Sequence, residues 1–152
     1  MKFQVKKFEE LSTLELYKIL QLRNRVFVVE QNCVYLDTDD KDLVALHVFV
    51  KDGDKIIAYL RICKPGDYFD NACIGRVVTD PDYRRQKTGH RLMQKAIDII
   101  TREMKHDTIE ISAQKYLLHF YNQLGFRETG EEYLEDGLPH MKMIYRKDLN
   151  KS

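Results

Sequence analysis

The chain has 152 residues, 43% of them hydrophobic and 32% charged, with 25 basic against 24 acidic side chains and a net charge of +1. That length suits one domain that buries about two thirds of its unfolded-chain surface, so a single domain over residues 1–152 is expected. Charges of both signs are scattered, which gives no global electrostatic basis for binding nucleic acid or membrane, and no stretch approaches the ~20 apolar residues that span a bilayer.

The first seven residues are charged and lack the apolar run and small-residue cleavage site of a signal peptide. A cytoplasmic protein is the expectation. A short apolar-alternating start around Val5 suits a first strand. Ser12-Thr13-Leu14-Glu15 reads as a capping box, a hydroxyl at the N-cap with a carboxylate three residues on. Leu16, Ile19, Leu20, Arg23 and Phe27 then carry a helix to about Val26. Residues 32–42 form a polar, acidic loop. It is either simply solvated or attracts a cationic substrate.

Leu46, Val48 and Val50 alternate with His47 and Phe49, and Ile56, Ala58, Leu60 and Ile62 alternate after Asp52-Gly53. This pattern predicts a hairpin, with Asp52-Gly53 supplying the positive φ angles of a type I′ turn. The apolar run from Ala72 to Thr79 suits a central strand, ended by Asp80-Pro81-Asp82. Leu92, Met93, Ala96, Ile99 and Ile100 recur at helical spacing. Thr108 to Ser112 is a short strand. Tyr116, Leu117, Phe120, Tyr121 and Leu124 make an amphipathic helix stopped by Gly125. Two further strands follow, one from Phe126 and one over Met141 to Tyr145. The order implies an α/β mixed sheet with helices on both faces. Cys33, Cys63 and Cys73 have neither Cys-x-x-Cys nor zinc-ligand spacing. Reduced, mostly buried thiols and no bound metal are expected.

The most informative segment runs from Ile74 to His90: a buried strand, a Pro-marked turn, a basic loop with a glycine, then a helix. A helix start offers unpaired backbone N–H groups, and with the helix dipole these attract anions such as phosphate. Arg84, Arg85 and Lys87 add charge there, and Gly89 removes a side chain where a pyrophosphate would come close. An ordinary helix start with solvated cations is the plainer reading. Basic residues in a first turn oppose the dipole, however, and so point to an anionic ligand.

From Val77 to Gly89 the chain resembles the acetyl-CoA-binding motif of the GNAT acetyltransferase superfamily: apolar strand, Pro, Tyr, then Arg/Gln-x-x-Gly-x-Gly/Ala. Arg84 matches the first position and Gly89 the last, while Lys87 stands where the first glycine usually is. Gln114 to Phe126 resembles a second signature, Asn-x-x-Ala-x-x-x-Tyr-x-x-x-Gly-Phe. There Tyr121, Gly125 and Phe126 match, Gln114 replaces Asn and Leu117 replaces Ala. The flanks, from Leu22 to Gln31, Ile74 to Val78, Ser112 to Gln114 and Glu135 to His140, are similar to the ElaA-like branch.

The resemblance implies the GNAT fold, a twisted mixed sheet of about six to seven strands flanked by about four helices and splayed between its fourth and fifth strands. It implies acetyl-CoA as co-substrate in that cleft, transferring its acetyl group to an amine of unknown identity. Val77, Val78 and Thr79 would make main-chain contacts from a bulged fourth strand. The cofactor would further touch Arg84, Arg85, Gln86, Lys87, Thr88, Gly89, His90 and Gln114. Tyr121 would protonate the departing thiolate; the plainer reading makes it a core aromatic. A homodimer is a family habit. For the base that deprotonates the amine, Glu30, Asp37, Asp39, Asp40, Asp42, His47 and His140 all stand open, with Glu30, Asp40 and His140 expected on the substrate side. Two other readings remain beside the N-acetyltransferase: an acyl-homoserine-lactone-synthase-like enzyme, and a catalytically silent CoA-binding module.

Overall fold

The computed structural model describes residues 1–149. The strands are β1 (Lys2–Lys7), β2 (Leu46–Asp52), β3 (Lys55–Cys63), β4 (Ala72–Thr79), β5 (Thr108–Gln114), β6 (Arg127–Glu135) and β7 (Leu138–Arg146). They form one sheet in the order β1-β2-β3-β4-β5-β7-β6. Only β4 and β5 pair in parallel. Three α-helices flank the sheet among the described residues, against the four or so expected: α1 (Thr13–Arg23), α2 (Thr88–Asp98) and α3 (Leu118–Gln123).

Local chemistry explains the elements. Ser12 Oγ accepts from the Glu15 amide at 3.0 Å while Glu15 Oε1 accepts from the Ser12 amide at 2.9 Å, the reciprocal capping box the sequence predicts. Past Arg23 the helix does not stop near Val26. It widens into a π-helical turn over Asn24–Glu30, with the Gln31 amide reaching the Val26 carbonyl and the Cys33 amide that of Val28. At the other end of the chain, Gly125 takes φ 101°, and the Phe126 amide bonds back to the Tyr121 carbonyl. That is the Schellman closure expected of a C′ glycine.

One turn differs from expectation. Asp52 pairs with Lys55, so the β2–β3 loop is Gly53-Asp54, and only Gly53 (φ 63°) is left-handed. A type I′ turn needs both residues there. The type I′ pattern sits instead between β6 and β7, where Glu135 pairs with Leu138 around Asp136 (φ 51°) and Gly137 (φ 79°).

Both faces of the sheet are covered. Ile19 and Leu22 of α1, with Val26 and Phe27 beyond it, pack on Phe49, Ile56, Tyr59 and Val78. Leu92, Met93, Ala96 and Ile97 of α2 join Tyr121 of α3, with Leu124 and Phe126 just after it, in a larger cluster with Val48, Leu60, Ile111 and Met143. Each fully buried Leu, Ile, Val, Met or Phe side chain among them contributes about 1.5–3 kcal/mol. Coverage on both sides explains why β3 is buried without a break from Ile56 to Cys63. Cys63 and Cys73 are buried register partners, and all three cysteines are free. No described helix is long and apolar enough to cross a membrane.

Two irregularities position the site. β4 and β5 pair only at Ala72–Ile109 and Cys73–Glu110, then diverge, while β5 stays paired with β7 along its whole length. On the other side of β4, Tyr59 pairs with Val78 and Arg61 with Gly75, three steps of β4 against two of β3. This is a bulge at Arg76-Val77, and Arg76 has φ 53°.

Candidate active site

The split between β4 and β5 opens into a cavity of about 1440 Å³. Its wall brings together residues far apart in sequence. β4 supplies Val77, Val78 and Thr79; the following loop and α2 supply Arg84, Arg85, Lys87, Thr88, Gly89 and His90; β5 supplies Gln114, α3 supplies Tyr121, and Glu30 and His140 complete it. Gln86 and Asp40, expected at the site, do not line it: both are exposed, and Asp40 sits in a left-handed turn at φ 65°.

The basic loop differs in detail from expectation. α2 begins at Thr88, so Arg84 and Arg85 precede it and only Lys87 caps it, with φ 60°. The first-turn cations inferred from sequence are therefore loop cations, with no carboxylate in the first turn to compete for the helix dipole. Thr88 is 2% exposed, lines the cavity, and its Oγ1 is buried without a hydrogen-bond partner. An orphaned buried hydroxyl beside free helix amides fits an anionic ligand. Gly89 serves packing. A Cβ there would stand 3.2 Å from Thr79 Oγ1 and 3.8 Å from Phe120 Cζ, so the missing side chain lets α2 lie against β4.

Arg84 is paired across the cleft mouth: its Nη1 and Nη2 donate to the two Glu30 carboxylate oxygens at 3.0 and 2.5 Å. Next to it, Gln31 and Gln114 exchange amide hydrogen bonds of 3.2 Å. Cys33 Sγ donates to the Asp136 carbonyl at 3.3 Å. Residues 30–33 thus tie the end of the first helix to three separate walls.

Asp37, Asp39 and Asp42 of the acidic loop are neither simply solvated nor free to act as a base, while Asp40 is exposed. Arg23 (0% exposed) donates to Asp37 Oδ2 at 2.6 Å and Asp42 Oδ1 at 2.8 Å; Arg61 (2% exposed) donates to both Asp39 oxygens at 2.7 and 2.6 Å and to Asp42 at 2.9 Å. Arg76, the bulge residue, lies 2.8 Å from Asp37 Oδ1 and donates to the Asp37 carbonyl. Three arginines neutralise three aspartates. Burial alone would raise the Asp39 carboxyl, but Arg61 and Arg76 outweigh it and hold it at about 2. His47 is buried between the Tyr59 hydroxyl (2.7 Å) and the Asp42 carbonyl (2.9 Å), and burial pushes it toward the neutral form. It does not line the cavity. The sequence did carry one signal for this network: Arg23 falls on the buried stripe of Ile19, Leu22 and Val26, where a charge requires a partner.

Tyr121 is 6% exposed and packs edge-on against Phe120 and Phe126. Burial raises its phenol well above the ordinary value, so it stays protonated at neutral pH. It is both a core aromatic and a cavity residue. His140 is 5% exposed, with Nδ1 2.7 Å from the Leu138 carbonyl and Nε2 3.3 Å from Glu135 Oε2. Sequence reasoning gave Glu135 no role of its own. Among the described residues no group of three or more His, Cys, Asp or Glu side chains is placed to hold a metal.

The profile of the acetyltransferase (GNAT) domain matches residues 24–147. Protein ElaA of Escherichia coli is 41% identical over 136 residues, covering 88% of this chain and 89% of ElaA. The crystal structure of E. coli ElaA superposes with a TM-score of 0.87 at 37% identity, covering 96% of this chain and 100% of that one. An acyl-CoA N-acyltransferase from Pseudomonas aeruginosa gives 0.88 at 36% identity, covering 95% and 99%. The PaiA N-acetyltransferase of Thermoplasma acidophilum, solved with coenzyme A, shares the fold at 14% identity and a TM-score of 0.69, covering 96% and 99%. With a family profile spanning most of its length and relatives this similar, the chain belongs to the GNAT acetyltransferase family, in its ElaA-like branch, and is an acyltransferase.

Proposed function

We propose that the protein moves the acetyl group of acetyl-CoA directly onto an amine. The observation that carries this reading is the bulge at Arg76-Val77 beside a parallel pair that opens after Cys73, with a basic loop and a helix start on the same cavity wall. The bulge leaves one β4 residue outside the ladder. With β5 diverged after Cys73, the main-chain groups of Val77, Val78 and Thr79 that face the split are available to polarise a thioester carbonyl and hold a pantetheine arm. The amides that open α2, the Thr88 hydroxyl, Arg84, Arg85 and Lys87 suit the pyrophosphate. Glu30 occupies Arg84 in this state, so binding a diphosphate there exchanges one anion for another.

Acetyl-CoA supplies the activated acyl carbon; the chain's own groups orient it and move protons. An oxyanion donor of this kind is worth about 3 kcal/mol in transition-state stabilisation. Tyr121 remains protonated and donates its proton to the thiolate as the C–S bond breaks. A coenzyme A complex is known for the T. acidophilum relative, and the same site class is inferred here from the residues named above. Thiol release from acetyl-CoA, followed over a panel of primary amines, tests the reading. Amine-dependent release supports it; wild-type protein that releases no thiol with any amine contradicts it.

A further inference from the structure

We propose that His140, backed by Glu135, is the group that takes the proton from the acceptor amine. The assignment rests on the acyl-transfer reading above. Ile109, Ile111 and Ala113 of β5, with Met141 and Met143 of β7, belong to the core cluster that holds α2 and Tyr121. The period of two along a strand turns Ser112, Gln114 and His140 to the opposite face, and His140 is the register partner of Gln114. All three line the cavity. Acid and base thus reach the split from opposite sides of the sheet. This suits a reaction in which the nucleophile enters on one face and the thiolate leaves on the other.

The ring is set for the task. The Leu138 carbonyl can only accept, so Nδ1 carries a proton and donates it at 2.7 Å. In the neutral imidazole, Nε2 then presents its lone pair, and Glu135 Oε2 stands 3.3 Å away. At that distance the carboxylate charge stabilises a proton taken up at Nε2. Tyr133 stacks on the ring at 6.1 Å and 21°, and fixes its orientation. Glu135 is 39% exposed at its side chain, which gives the proton a way out to solvent. Glu135 and Asp136 also make this end of the cavity attractive to an ammonium group.

The competing bases are spoken for. Asp37, Asp39 and Asp42 are ion-paired, neither His47 nor Asp40 lines the cavity, and Glu30, which a bound diphosphate would displace from Arg84, stands beside the loop that receives the pyrophosphate. His90, the other cavity histidine, packs edge-on against Phe120 on the side of Tyr121. In the full step the acceptor ammonium gives one proton to His140 Nε2, which passes it to solvent. The nitrogen then attacks the thioester carbon, the C–N bond forms and the C–S bond breaks. Tyr121 protonates the sulfur, and the second nitrogen proton restores the phenol. One proton is released per turnover.

The test is thiol release from acetyl-CoA by wild type, His140→Gln and Glu135→Gln, with a series of primary amines at neutral pH. His140→Gln is expected to slow kcat about 100-fold with alkylamines, which must lose a proton to react, and by no more than about threefold with amines already unprotonated at that pH. Glu135→Gln gives a smaller loss with the same dependence on the amine. Calorimetric acetyl-CoA affinity, unchanged in both variants, reports that they are folded. A loss of equal size across the series, or none with any amine, overturns the assignment and leaves the acyl-transfer reading intact. Failure of the wild type with every amine removes that reading instead.

Discussion

At the scale of single residues, the site depends on groups whose state is fixed by their surroundings. Tyr121 is buried among aromatics and rests as a phenol, so it can give a proton and cannot take the first one from the amine. Replacing it with Phe keeps the packing and removes only the O–H. Tyr121→Phe should lower the rate of the chemical step about 100-fold while acetyl-CoA affinity stays within about twofold. Single-turnover thiol release with matched calorimetry checks this, and an unchanged rate would take Tyr121 out of the mechanism. That Tyr121 and Arg84 share a cavity wall was legible in the sequence because each sits in a short motif of the resembled family. Glu135 was not, because its role depends on a cross-sheet neighbour that no spacing reveals. The acids at 37, 39 and 42 were misjudged for the same reason: their partners Arg23, Arg61 and Arg76 lie between 14 and 39 residues away, and pairing at that distance leaves no local trace.

Among elements, the loop before β2 and the bulge of β4 form one unit. Arg76 holds a left-handed backbone that costs a non-glycine residue about 1–2 kcal/mol. Its ion pairs with Asp37 and Asp39 hold it there, so the acidic loop supports the strand geometry that shapes the cavity. Asp42 joins Arg23 to Arg61 at the base of this unit. Asp42→Asn would leave two buried guanidinium groups short of charge, and should cost about 3–5 kcal/mol of stability. Urea denaturation measures it; a loss below about 1 kcal/mol would mean that water or another group compensates. Most elements could be read from sequence, since capping box, alternation and helical spacing are local signals. The bulge was expected in the fourth strand only through the family resemblance, and its position at Arg76-Val77 was not read from the residues, although Arg76 as the lone charge in an apolar run marks the spot. The type I′ turn was assigned to the wrong one of two Asp-Gly pairs, because strand register, which is set by burial, decides which pair occupies the loop.

For the molecule as a whole, ion pairs that join distant parts make stability depend on acid. Glu15 links α1 to β1 through Lys6 (3.0 Å) and to β2 through Lys51 (2.8 Å). Burial would raise its carboxyl, but Lys51, the Ser12 amide and Lys6 hold it at about 2; Asp39 is held as low. A carboxyl lowered on folding stabilises above its unfolded value of ~4, and loses that contribution as pH falls through its folded value. Urea midpoints should therefore stay level down to about pH 5 and drop steeply between about pH 4 and 2. Midpoints unchanged across that window would contradict the assignment. The order of strands and helices and the family were legible because the motifs lie in the right sequence and separation.

The proposed chemistry requires that the cleft beside β4 grips a coenzyme A diphosphate. A calorimetric titration of the purified protein with acetyl-CoA, repeated on the Arg84→Glu/Arg85→Glu double variant, tests that most directly. The account predicts saturable binding by the wild type and at least about a tenfold weaker affinity in the variant, since each lost charge-assisted contact is worth about 1.5–3 kcal/mol. Equal affinity in both, or no heat from the wild type at millimolar ligand, would contradict it.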